Sequence, residues 1–191
     1  RFFLDNGLNS VHWEDGEIAV NFYARLNRGE DPFTDYPDVV AFTDMMKVRG
    51  SLLEPYKSFE DIYRWYPDSY FILNTRNASD WIESRIRHGL ARHYRSALGL
   101  PDDASVRRYW LLEWYRHHAN VLDFFHAMPE KLLVYDIDRD APAKLARFLS
   151  PAWHLDPAFF GRHNRTGTRW GSSSYGAVAI RSATFELPSR E

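Results

Sequence analysis

Apolar residues along the chain gather either in short continuous runs or at three- and four-residue intervals, and the two patterns alternate. Short runs bounded by turn-formers read as buried strands, and the wider spacing reads as the buried stripe of a helix. The clearest run is Tyr70-Phe71-Ile72-Leu73, with Pro67-Asp68-Ser69 before it and Asn77-Ala78-Ser79-Asp80 after it. Trp81, Ile82, Arg85 and Ile86 then fall at helical spacing behind good N-capping residues, so this stretch predicts strand, tight turn and helix. That helix is expected to continue to about Leu98. Val39-Val40-Ala41-Phe42 and Lys131-Leu132-Leu133-Val134-Tyr135 predict two further strands, and Ser10-Val11-His12-Trp13 a shorter one.

The helical pattern recurs from Glu17 to Arg28, where Gly29 stops it, and from Ser105 to Met128. A capping-box variant, Ser58-Phe59-Glu60-Asp61, predicts a helix through Ile62 and Trp65. Pro142 suits the first turn of a helix over 143–149, and Arg1 to Leu8 reads as the end of another. From Gly161 onward the chain is rich in Gly, Ser and Arg and reads as loop, except that Ala177 to Phe185 alternates as a late strand would.

Strands alternating with helices predict an α/β fold with a central parallel sheet flanked by helices. At 191 residues, 45% hydrophobic and 16% aromatic, the chain suits one domain over 1–191, with 168–191 as an irregular tail. The 24 basic and 26 acidic residues leave a net charge of −2, which implies no general attraction to nucleic acid. The absence of cysteine excludes disulfides, thiolate metal sites and a cysteine nucleophile. No apolar run approaches the length of a membrane span. His117-His118 and the pair His88/His93 lack carboxylates at metal-ligand spacing, so no metal is expected. The basic stretch from Arg85 to Arg95 reads by default as a solvated face, with attraction of an anionic acceptor as the other reading.

Arg76 falls at the carboxyl end of the clearest strand, where ligands of open α/β sheets bind, and Arg is suited to gripping phosphate with two parallel hydrogen bonds. Ser84, about two turns into the next helix, reaches the same anion only if that helix packs back beside the strand end. The pattern alone leaves open a plainer reading, in which Arg76 caps a carboxylate and Ser84 is solvated.

A strand ending in Arg, followed eight positions later by Ser on the next helix, resembles the 3′-phosphate-binding element of sulfotransferases. These enzymes use 3′-phosphoadenosine 5′-phosphosulfate (PAPS). The segment Tyr66-Pro67-Asp68-Ser69-Tyr70-Phe71-Ile72-Leu73-Asn74-Thr75-Arg76 is similar to the matching segment of bacterial members. The resemblance implies a three-layer sandwich of the P-loop nucleotide-binding type. It also implies transfer of a sulfuryl group from PAPS to a hydroxyl-bearing small molecule or saccharide, leaving adenosine 3′,5′-bisphosphate. Arg76 and Ser84 would hold the 3′-phosphate. Tyr135, within Leu133-Val134-Tyr135-Asp136, matches the residue near the adenine. Arg165 and Gly167, within Arg162-His163-Asn164-Arg165-Thr166-Gly167, match a late loop that closes over the phosphate.

For the base that takes the acceptor's proton, Asp44 is in register with the family's catalytic His, while His12 and Glu14 stand at the end of the preceding strand. The family's Lys-x-Gly-Thr-Thr-like phosphosulfate loop has no counterpart in the chain. Arg1-Phe2-Phe3-Leu4 resembles the helix after it, so the loop is expected upstream of Arg1. Two other readings stay open: a Mg²⁺-dependent phosphotransferase using Asp44 and Asp136, and a non-catalytic module retaining the fold. The sequons at Asn77 and Asn164 fall in segments assigned to the nucleotide, where a glycan would block binding, so they read as chance matches and a cytoplasmic protein is expected. Neither the acceptor's identity nor the oligomeric state is legible.

Overall fold

A computed structural model describes residues 1–161 and the backbone of residues 178–180. In chain order the elements are α1 (Phe2–Asp5), β1 (Ser10–His12), α2 (Glu17–Leu26), β2 (Ala41–Thr43), α3 (Phe59–Trp65), β3 (Tyr70–Thr75), α4 (Ala78–Arg87), α5 (Ala91–Leu98), α6 (Asp103–Phe124), β4 (Leu132–Asp136), α7 (Pro142–Leu149) and β5 (Val178–Ile180). The described residues therefore form a mixed α/β fold.

The five strands lie in the order β1-β2-β5-β3-β4. β1 pairs parallel to β2, with His12 opposite Thr43, and β3 pairs parallel to β4, with Asn74 opposite Tyr135. The expectation of a wholly parallel sheet needs correction, because β5 lies between β2 and β3 and runs antiparallel to both. At Gly161 the chain borders the same cavity as Asn74 and Tyr135, at the carboxyl edge of the sheet. Val178 pairs with Ile72 and Ile180 with Tyr70, so β5 runs from the carboxyl side of β3 back toward its start. β5 falls within the stretch whose alternation predicts a late strand.

Period-two alternation divides the core. On β3, Phe71 and Leu73 pack with Phe42 and with side chains of α2, α3 and α6, among them Phe22, Ile62 and Val121, and with Phe125 just after α6. Ile72 points the other way, into a cluster with Ala41, Leu133, Phe2 of α1, and Leu145 and Leu149 of α7. A third cluster joins α4, α5 and α6 through Trp81, Tyr94 and Trp110.

Asn77 caps α4 as its position suggests, its side-chain oxygen accepting from the backbone N–H of Ser79 and Asp80. Ser58 precedes α3 but makes no capping bond, and its hydroxyl lies 3.4 Å from that of Tyr23. The helix expected to run to Leu98 is instead two helices. Gly89 takes φ +70°, a left-handed conformation open to glycine without side-chain strain, and the chain turns there before α5.

Gly16, ahead of α2, has φ +88°, and a Cβ there would lie 2.7 Å from Lys47 Cγ. A Cβ on Gly89 would meet nothing within 4 Å. Urea unfolding is therefore expected to show Gly89→Ala costing about 1–2 kcal/mol for left-handed strain alone. Gly16→Ala should cost roughly 2–4 kcal/mol, because a close contact adds to that strain.

Candidate functional site

The carboxyl ends of β1, β2, β3 and β4 border a cavity of about 230 Å³. Its polar lining comprises Arg1, His12, Thr43, Asp44, Asn74 and Tyr135, and Phe2, Phe3 and Phe160 contribute apolar walls. The parallel register explains the first contacts. Because β1 and β2 pair with His12 beside Thr43, the imidazole and the hydroxyl meet at 2.9 Å.

The Thr43 hydroxyl donates to the Val11 carbonyl at 3.1 Å. Its single proton is thereby committed, so His12 Nδ1 is the donor to Thr43 Oγ1. The neutral imidazole therefore carries its proton on Nδ1 and leaves the Nε2 lone pair available. Nε2 lies 3.9 Å from Asp44 Oδ2, with His12 46% exposed and the Asp44 side chain 1% exposed. Burial lowers the His12 pKa, while the Asp44 charge acts in the opposite direction. The arrangement can take up a proton at Nε2 and steady the resulting imidazolium with a carboxylate.

Backbone strain concentrates around this pair. Trp13, Glu14 and Asp15 after β1 have φ of 60°, 45° and 53°, and Asp44 after β2 has φ 55°. Left-handed non-glycine residues cost of order 1–3 kcal/mol each and gather at functional sites. The strained turn leaves Glu14 exposed, toward Tyr36 and outside the lining of the cavity. The structure thus brings His12 and Asp44 together and leaves Glu14 apart.

Tyr135 sits on β4 opposite Asn74 and is buried, its hydroxyl donating to the Asp140 carbonyl at 3.2 Å. Burial, then the Asp140 charge, raises its pKa, so it stays a neutral phenol. Asp136 shapes the following turn, accepting from the Asp138 N–H at 3.0 Å, and does not line the cavity.

Arg76 lies across β3 from that cavity, on a second one of about 30 Å³ shared with Thr75, Trp81, Trp114, His117 and His118. Asn74 borders both. The Arg76 fork meets Asp138 through Nε–Oδ2 at 2.9 Å and Nη2–Oδ1 at 3.1 Å. Ser84 is buried on α4 and lines neither cavity. Arg165 and Gly167 lie outside the described residues. His118 donates from Nδ1 to the Trp114 carbonyl at 2.7 Å, so its Nε2 accepts from the Thr75 hydroxyl at 2.9 Å. That bond braces the strand end immediately before Arg76.

Arg85 corrects the reading of a solvated basic face, because it is 2% exposed. Its guanidinium carbon lies 4.6, 5.0 and 4.7 Å from the ring centres of Trp81, Tyr94 and Trp110. Its Nη2 donates to the Tyr94 hydroxyl at 2.5 Å, and Tyr94 donates to Glu54 Oε1 at 2.5 Å. Tyr56 donates to the same oxygen at 2.6 Å, and Lys57 bridges Glu54 at 2.8 Å to Glu113 at 2.5 Å. Burial pushes the Glu54 carboxyl up, but Lys57, Tyr56 and Tyr94 outweigh it and the pKa falls below the usual range.

Thr43, Asn74 and His118 escape a reading of the sequence because their roles depend on pairing between distant segments. Among the described residues no group of three or more His, Asp or Glu is placed to hold a metal ion. Comparison with models of protein families, with curated proteins and with solved structures finds no match.

His117 also borders the second cavity, edge-on to Tyr56 at 5.2 Å, with Nε2 buried and without a hydrogen-bond partner. Burial, then the neighbouring His118, pushes its pKa down to about 4. The unfolded chain therefore binds this proton first, and stability is lost as pH falls from about 6.5 toward 4. Urea unfolding at pH 7 and pH 4.5 is expected to show His117→Phe losing about 2–3 kcal/mol less than wild type across that interval.

Proposed function

We propose that the chain is a PAPS-dependent sulfotransferase of the three-layer P-loop type, acting on a hydroxyl-bearing small molecule or saccharide. The observation that carries this reading is convergence. Residues 12, 44 and 135, singled out at the ends of three separate strands, border one cavity at the carboxyl edge of the sheet. Packing of helices against both faces of β3 supports the layered arrangement.

The donor set suits the nucleotide. The fork of Arg76 already meets two oxygens of a planar acid, the geometry in which it would grip a phosphate. Asp138 is 45% exposed on its side chain, so it can turn to solvent when a 3′-phosphate takes its place. Arg1 and the Asn74 amide line the larger space, where they would meet the phosphosulfate end, and Tyr135 forms part of its wall beside Phe160. PAPS supplies the activated sulfuryl group when bound. The chain's part is to orient the acceptor hydroxyl and take its proton on His12 Nε2, with Asp44 stabilising the imidazolium.

The test is calorimetric titration of the full-length protein with adenosine 3′,5′-bisphosphate and with AMP, which lacks the 3′-phosphate. The bisphosphate should bind at least about tenfold tighter, and Arg76→Ala should erase the difference, since charge-assisted hydrogen bonds contribute roughly 1.5–3 kcal/mol. His12→Ala should keep that binding and lower sulfuryl transfer by about 10²–10⁴-fold. Equal affinity for the two nucleotides would remove the reading.

A further inference from the structure

Helix α6 has two apolar faces. One carries Val106, Trp110 and Val121 into the core. On the opposite face Leu111, Leu112, Tyr115 and Leu122 are 38%, 63%, 59% and 47% exposed, with exposed Ala119 among them. Positions 108, 111, 115, 119 and 122 follow intervals of three and four, so they form one seam along the helix. A solvated helix face carries polar residues at such positions, and an apolar stripe of this length marks a contact surface.

We infer that this face of α6 pairs antiparallel with α6 of a second copy of the chain, forming a twofold dimer. Charge selects the direction. Arg107 and Arg116 are held in ion pairs with Glu83 and Glu113 of the same chain, which leaves Arg108 in the first half of the helix and Asp123 near its carboxyl end. A parallel pair would set Arg108 against Arg108 and Arg116 against Arg116. An antiparallel pair opposes the helix dipoles and brings Arg108 to Asp123 of the second copy. With Tyr115 on the twofold axis, position i faces position 230 − i. Leu111 then meets Ala119 of the second copy, large against small, and Arg108 reaches Leu122 and Asp123 of the second copy. Within one chain Arg108 donates to the Ser105 hydroxyl at 2.9 Å and lies near the capping Asp102, and among the described residues the ion pairs of α6 engage Asp103, Arg107, Glu113 and Arg116 rather than Arg108 or Asp123. Both are exposed, so each can form the intermolecular pair twice per dimer.

The pairing is tested by sedimentation equilibrium of the full-length protein at low salt, using Arg108→Asp and Asp123→Arg. Wild type should sediment as a dimer. Each single variant sets like charges against one another and should weaken association at least about tenfold. The double variant should recover it, and an equimolar mixture of the two single variants should form a heterodimer in which both pairs are restored. Leu112→Glu should be monomeric with an unchanged far-ultraviolet circular dichroism spectrum. A wild-type monomer would overturn the inference, whether the face is covered by another segment of the chain or by a different partner. A dimer indifferent to all three substitutions would overturn it equally.

Discussion

The Arg85 guanidinium is charged at every accessible pH and has almost no contact with water. Burying such a group costs several kcal/mol unless its field is met on all sides. Three aromatic faces, the Tyr94 hydroxyl and the Glu54 carboxylate beyond it meet most of that requirement, while Nε is buried without a hydrogen-bond partner. Glu54 is then shared with Lys57, and Lys57 with Glu113. Each link comes from a different segment: α4, α5, the turn before α3, and α6. The compensation of one buried charge thus fixes how these helices sit against each other. α4 follows β3 after two residues, so the position of Arg76 at the strand end is inherited from the same network. Removing one member would strand an uncompensated charge, whereas replacing the whole set with well-packed apolar groups need not destabilise.

The sheet imposes a second constraint. β2 and β3 present facing edges, and the three residues of β5 satisfy both. β3 thereby pairs on both sides and becomes the partition between two cavities. One is open, with His12, Asp44 and Tyr135; the other is narrow, with Arg76, His117 and His118. Asn74 borders both because it sits where β3 gives way to the turn. In the proposed reaction Arg76 would hold the 3′-phosphate on one side of this partition, and His12 and Asp44 would act at the ends of β1 and β2 on the other.

The elements that were legible are those with a local cause. Apolar runs mark β2, β3 and β4 because a strand buried on both faces needs no polar alternation. Caps and glycines mark the limits of most helices. The direction of β5 is not legible, since a period of two is the same for either direction. Arg85 was partly legible: it shares the helical spacing of Trp81 and Ile82, so its position on the buried stripe outweighed its membership of a basic run. The tautomer of His12 was not legible. It depends on Thr43, 31 residues away, through a register that only the pairing of β1 with β2 creates.

That register also bears on which group serves as base in the proposed reaction. Asp44 alone would be a weak base near neutral pH, and its side chain is too buried for a bulky acceptor to reach. His12 is half exposed, its Nδ1 is occupied by Thr43, and its remaining lone pair is on Nε2. Transfer of a proton to Nε2 creates a cation 3.9 Å from a buried carboxylate, where the low local dielectric makes the attraction worth more than in water. The strained backbone at Trp13 and at Asp44 holds both side chains at the cavity before any ligand arrives. The carboxylate that looks from its position like the base is better placed as the counter-charge of its neighbour.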